Sequence, residues 1–264
     1  MQTQANPTFS AQVDTPITDH LIDEQHPLLQ SILLHLFPGA VVTVFYILLV
    51  PPLLGLGVNN LITLNLLAVL ILAPLELAIL LRAGVLKNGK ASLKGIVLYR
   101  EKLPAWQLIV LALITLVWIG LVSSTLTPVF DPILQKTLFG WVPGWFILDT
   151  NFTAMPRQTL IVSLAASLVC TSWIAPVVEE LYFRGYLLPR LSRYGSWAPV
   201  MNGVLFTLYH FFTPWAFVER VIMVIPMAWL VQKKRNIYIT IIAHLLVNTI
   251  GILPVLVAAI LKTN

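Results

Sequence analysis

Seven stretches of this chain are apolar for long enough to approach or cross a lipid bilayer, and that feature removes most folds from consideration. They lie at about 30–56, 61–82, 105–126, 158–178, 197–212, 214–232 and 237–261. Roughly 20 residues of helix cross a hydrocarbon layer about 30 Å thick. Inside that layer every backbone N–H and C=O needs a protein partner, which leaves helices or closed barrels. Runs this long and uninterrupted are helical rather than alternating. The predicted fold class is all-α: a polytopic membrane helix bundle with seven to eight transmembrane helices. The fifth segment is short, and is expected to tilt or to lie buried behind others. An eighth helix has two candidate places. One is 128–157, where Trp141, Trp145 and Phe146 mix with Pro128, Pro132, Pro143 and Gly144 in a pattern suited to an interfacial loop or half-helix. The other is 180–193, which can continue the fourth segment. Pro176, Pro226 and Pro254 fall inside segments and are placed to kink them.

Charge is scarce and its placement is ordered. Only 10% of residues are charged, 58% are hydrophobic, and mean hydropathy is +0.87. A soluble domain carries about 25% charged residues. The net charge of +5 does not point to nucleic acid, because the basic residues sit in short loops between apolar segments. Arg82, Lys87, Lys90, Lys94, Arg100 and Lys102 follow the second segment; Arg184, Arg190 and Arg193 follow the fourth; Lys233, Lys234 and Arg235 follow the sixth. Alternating crossings place all three sets on one side, so that side and the N-terminus are expected to be cytoplasmic in a multi-pass protein of the cell membrane. Residues 1–27 read as a polar surface tail, with no basic start or apolar stretch of a signal peptide. The single cysteine, Cys170, allows no intrachain disulfide and is expected to pack as a small hydrophobe.

Against that background, Glu179-Glu180-Leu181-Tyr182-Phe183-Arg184 stands out. A charge at a helix centre costs roughly 2.5–3.5 kcal/mol on insertion scales, so an ionisable cluster at membrane depth calls for a function. Two further polar pairs follow, Phe206-x-x-x-His210 and His244-x-x-x-Asn248. Each set has an i,i+4 spacing that puts its members on one helical face. Glu180 pairs with Arg184 in this spacing, and Glu179 lies about 100° around the helix from Glu180. The simplest arrangement turns all three sets toward one wet cavity. Several other polar groups have plainer readings. Glu76 is expected to pair with Arg82 or reach the interface, with contact to the active cavity as the lesser alternative, His35 to be interfacial, Glu219-Arg220 to be an ion pair or cavity lining, and Trp173 and Trp215 to anchor or pack.

Glu-Glu-x-x-x-Arg, Phe-x-x-x-His and His-x-x-x-Asn, in this order, resemble the three motifs of the CAAX protease and bacteriocin-processing (abortive-infection type) family. These are intramembrane proteases related to the type II CAAX prenyl endopeptidases. The motifs span 179–248, and the chain before them carries no comparable signature. The resemblance implies a division into a tail (1–27), N-terminal transmembrane helices and loops (28–157) and a catalytic helical core (158–264), within one integral membrane domain. It implies that Glu179 polarises the attacking water and His210 holds it. His244 and Asn248 would face the scissile carbonyl, with Asn248 a candidate oxyanion donor. Glu180 and Arg184 would orient these groups.

Peptide hydrolysis needs a base, a positioned water and support for the oxyanion, and these residue types supply them. Zn²⁺ is the cofactor alternative, with Glu179, His210 and His244 as candidate ligands. The sequence leaves both open and favours the metal-independent glutamate mechanism. No His-Glu-x-x-His, Gly-x-Ser-x-Gly or Gly-x-Gly-Asp motif offers another protease chemistry. The expected substrate is a membrane-associated peptide or protein met within the lipid bilayer, with cleavage near the cytoplasmic face. The alternative from a different class is a non-catalytic immunity or scaffold protein of the same fold. A proton-coupled transporter fits less well, because no internal repeat is visible.

Overall fold

The computed structural model describes residues 24–148, 152 and 155–261. Most of the expected 1–27 tail, and residues 262–264 of the expected core, lie outside the described residues. Among the described residues there are helices and no strands. Six helices are long and apolar enough to cross a membrane. They are α1 (Leu28–Gly55), α2 (Asn60–Asn88), α3 (Ala105–Thr125), α5 (Arg157–Leu187), α7 (Phe217–Lys234, extended at its start by a 3₁₀ turn from Pro214) and α8 (Tyr238–Leu261). Two shorter helices complete the set, α4 (Thr127–Thr137) and α6 (Trp197–Leu208).

The bilayer as solvent explains which faces turn inward. On α3, Ile109, Leu113, Val117 and Leu121 form an exposed apolar stripe, while Ala112, Thr115, Ile119 and Val122 are buried. Apolar side chains lose nothing against lipid, so the interior takes the small and polar residues that let helices approach closely. The fourth apolar segment does not end at 178. It runs on as one helix to Leu187, through the charged motif, and so absorbs part of the 180–193 stretch. The 128–157 stretch holds α4, which has no buried residue and is too short to span. The fifth segment is α6, whose 12 residues reach only ~18 Å. It is buried beside α1 and α7 as expected, and is too short to cross a layer about 30 Å thick.

Two π-helical turns lie just ahead of helix-interior prolines. Ala68–Leu72 precedes Pro74 in α2, and Cys170–Ile174 precedes Pro176 in α5. Proline supplies no N–H and crowds the carbonyl four residues back. A wider turn relieves that clash, and such turns gather at functional sites. A third π-helical stretch, Glu180–Leu187, begins at the second glutamate.

The three basic stretches meet at one end of the bundle. Leu98 N–H donates to Gly185 O, Ile237 N–H to Tyr99 O and Glu101 N–H to Arg235 O. The start of the described chain is tied there too: Glu24 pairs with Lys87 at 2.9 Å and with Arg190 at 3.0 Å, and His26 N–H donates to Arg190 O. Those two cations hold the Glu24 carboxyl below its usual range. Burial, with Arg190 nearby, lowers His26 to about 4. At the opposite end, Arg157 donates to the carbonyls of Ala259 and Ile260, closing α5 against the end of α8.

Candidate active site

Glu179, His210, His244 and Asn248 line one cavity of about 520 Å³, so the bundle brings the four residues together. The segment carrying each explains its pose. Glu179 closes the α-helical turn Ala175–Glu179, between two π-helical stretches of α5. His210 follows the end of α6. His244 and Asn248 project one turn apart from α8.

The two glutamates have separate partners. Glu180 is fully buried and triply engaged. Thr240 Oγ1 donates to its Oε2 at 2.7 Å, His244 Nδ1 lies 3.2 Å from its Oε1, and Arg184 Nε lies 3.6 Å from Oε2. The expected Glu180–Arg184 pair is present. His244, however, is bound by Glu180 rather than left to Glu179. Arg184 is also fully buried, stacked 3.9 Å over the Phe206 ring. This gives the aromatic of Phe-x-x-x-His a physical task, since an aromatic face attracts a desolvated guanidinium.

Glu179 takes its hydrogen bond from a residue that sequence reasoning passed over. Tyr209 O–H donates to Glu179 Oε1 at 3.0 Å. Glu76, from α2, lies against the same Tyr209–Glu179 pair and is fully buried. It does not pair with Arg82 and is no interfacial group. Tyr209 adjoins His210, which was a usable hint; Glu76 lies 103 positions from Glu179 in sequence, and its only hint was a charge inside an apolar segment.

The ring nitrogens can be assigned by their partners. His210 Nδ1 lies 2.8 Å from Phe206 O, and a carbonyl only accepts, so Nδ1 carries the proton. Nε2 is then a lone-pair acceptor. The Glu180 carboxylate fixes His244 in the same way, with Nδ1–H donating and Nε2 left over. Asn248 Nδ2 donates to Thr171 O at 2.9 Å. An amide NH₂ has two donors, so one remains for another acceptor. Arg220 lines the cavity and donates to Thr213 Oγ1 at 3.1 Å, beside Glu219 and Asp131. Burial raises the Asp131 carboxyl.

His35 is not interfacial. It is fully buried, its Nδ1 2.7 Å from Ser31 O and its Nε2 3.0 Å from Asn202 Nδ2, while Asn202 also donates to Phe183 O. Of the two tryptophans expected to anchor or pack, Trp215 packs in the core, whereas Trp173 is half-exposed and donates to Thr249. Close approach of α1 also shapes the site: a Cβ on Gly39 would land on the Tyr209 carbonyl. Among the described residues no three His, Cys, Asp or Glu side chains gather as a metal-binding group. Glu179, His210 and His244, the candidate Zn²⁺ ligands, line the cavity without forming such a group.

Comparison with known proteins adds to this geometry. Residues 161–250 match the family described as type II CAAX prenyl endopeptidase Rce1-like. The chain is also similar to the UPF0177 protein YxdF of Lactococcus lactis subsp. lactis (strain IL1403), 28% identical over 136 residues, covering 44% of this chain and 76% of that protein. No solved structure gives a significant match.

Proposed function

Because residues 161–250 match the Rce1-like family, as the three motifs led us to expect, we propose that this protein is an intramembrane endopeptidase that uses Glu179 as its base. The observation that carries the reading is the cavity lined together by Glu179, His210, His244 and Asn248. Water sits between Glu179 and His210 Nε2. Glu179 takes one proton as the water oxygen attacks the scissile carbonyl carbon. The C=O electron pair moves onto oxygen, and the remaining N–H of Asn248 meets that oxyanion. The C–N bond then breaks, and the departing amine takes back the proton held by Glu179, with His244 Nε2 as a carrier across the cavity. Tyr209 fixes the Glu179 carboxylate through one oxygen, leaving the other for water. Glu180 holds His244 and, with Arg184, keeps α5 and α8 in register. The steps run on these side chains alone.

The basic end of the bundle is assigned to the cytoplasm by the positive-inside rule, and the start of α1 with it. The substrate is a membrane-associated peptide or protein. Glu179→Gln in purified, reconstituted protein tests the proposal. It is expected to abolish cleavage of internally quenched apolar peptides, farnesylated CAAX-type and unprenylated, while thermal unfolding stays within a few degrees of wild type. Unchanged turnover refutes the assignment of the base.

A further inference from the structure

The cavity has a direction. On α2 its lining runs from Leu61 to Leu72, in the first half of the helix. On α5 it uses Thr171, Ser172 and Ala175, all before Glu179; on α8 it uses Val247, Asn248, Gly251 and Ile252, all after His244. Given the course of each helix, every one of these residues lies on the side of the glutamate away from the basic loops. Leu148, from the connection between α4 and α5, sits at the far end.

A second, smaller cavity shares His210, His244 and Asn248 and is walled by Arg184, Phe206 and residues of α3 and α7; beyond it the basic end is packed. Tyr182, Phe183, Leu187, Leu188 and Leu191 are fully buried on the basic side of Glu180, as are Ile237 and Ile239. The strap Ile96–Tyr99 lies across Gly185, with Leu98 N–H on Gly185 O at 2.8 Å and Ile237 N–H on Tyr99 O at 2.8 Å. Gly185 itself is required there, because a Cβ would come within 2.6 Å of Val97. The route through the basic end is thus filled by packed side chains and backbone hydrogen bonds.

We infer that the substrate enters from the face opposite the basic loops, as an extended apolar peptide segment presented at the extracytoplasmic side of the membrane. This rests on the endopeptidase reading and changes the expectation of cytoplasmic access. From Leu61 to Leu72 the wall is ~16 Å deep at 1.5 Å per residue. Extended chain rises about 3.3 Å per residue, so the cavity takes roughly five residues on one side of the scissile bond. Val42, Leu61, Leu64, Leu72, Leu148 and Ile252 suit apolar side chains. Asn65, Thr171 and Asn248 form a polar line down the wall, linked by Thr171 Oγ1 donating to Asn65 Oδ1 at 3.1 Å and Asn248 Nδ2 donating to Thr171 O. Polar groups spaced along an apolar wall match a peptide backbone.

The test is sided thiol modification. In a Cys170→Ala background, Ala175→Cys places a thiol one turn before Glu179, and Lys90→Cys marks the basic end. A small, charged, membrane-impermeant thiosulfonate is applied to sealed right-side-out and inverted vesicles. Ala175→Cys is expected to react from the face opposite that of Lys90→Cys. Reaction from the Lys90 face, or from neither face, overturns the inference. Gly251→Cys repeats the test should Ala175→Cys fold poorly, since a Cβ at Gly251 meets no neighbour. Sided reaction as expected, with no peptide ever cleaved, sinks the endopeptidase reading and leaves the access route standing. Cleavage of peptides supplied only at the Lys90 face sinks the route and leaves the enzyme.

Discussion

Glu180→Ala is the perturbation with the largest calculable effect on the bundle. Arg184 lies 3.6 Å from the Glu180 carboxylate, both side chains are fully buried, and none of the Arg184 nitrogens makes a hydrogen bond. At an effective dielectric of about 20, two unit charges at that separation attract by roughly 4–5 kcal/mol. Breaking a buried pair by removing one partner costs about 3–5 kcal/mol, because the other charge is stranded. The same substitution also removes the acceptor for Thr240 and His244. For a chain of this size, about 2–4 °C of melting temperature is lost per kcal/mol, which gives roughly 6–20 °C. Thermal unfolding in detergent micelles reads the shift. Two companions sharpen it. Arg184→Met alone is expected to cost less, because Glu180 keeps Thr240 and His244. Glu180→Ala with Arg184→Met is expected to recover much of the loss, because no charge is left stranded. A Glu180→Ala protein that melts within ~1 °C of wild type, or a double variant less stable than the single, refutes this account of the pair.

Tyr209→Phe removes the O–H that holds Glu179; a hydrogen bond to a charged group contributes about 1.5–3 kcal/mol, so turnover of a cleaved peptide is expected to fall roughly 10- to 100-fold with little change in KM. Gly39→Ala drives a methyl group into the Tyr209 carbonyl. It is expected to cost about 1–3 kcal/mol and to depress turnover by displacing Tyr209 and His210, seen by melting and steady-state rates. Acid is expected to loosen the start of α1. His26 titrates at about 4 in the folded chain against an ordinary 6.5, so the stability it contributes is whole above 6.5 and is lost as pH falls toward 4. The lowered Glu24 adds a loss in the same direction as it protonates. Hydrogen exchange at residues 26–31 should quicken over that range, and His26→Phe should flatten the part above pH 4.5.

Periodicity and length identified the spanning helices because lipid imposes one rule on every residue that faces it. The motif pairs were legible because i,i+4 neighbours on a helix are fixed by backbone geometry alone. What stayed hidden was pairing between helices. Nothing local in His244-x-x-x-Asn248 says that His244 belongs to Glu180, 64 positions away. Glu76 looked like an interfacial charge because Arg82 is near in sequence, while its neighbours Glu179 and Tyr209 come from other elements. The end of α5 was left open for a related reason: a run containing Glu179, Glu180 and Arg184 resembles a helix leaving the membrane. Inside the bundle these charges meet partners, so the helix continues to Leu187.

The π-helical stretch from Glu180 to Leu187 makes the alignment of this centre a matter of phase. Each residue in an α-helix advances about 100° around the axis. Deleting one residue after Glu180, with the wide pitch kept, would turn everything before it by nearly that angle relative to everything after. The remaining side chains would survive, yet both glutamates would turn the same way, Glu179 off Tyr209 and Glu180 off Thr240 and His244. Substitution within 180–187 can be tolerated where packing allows; a change of length there cannot.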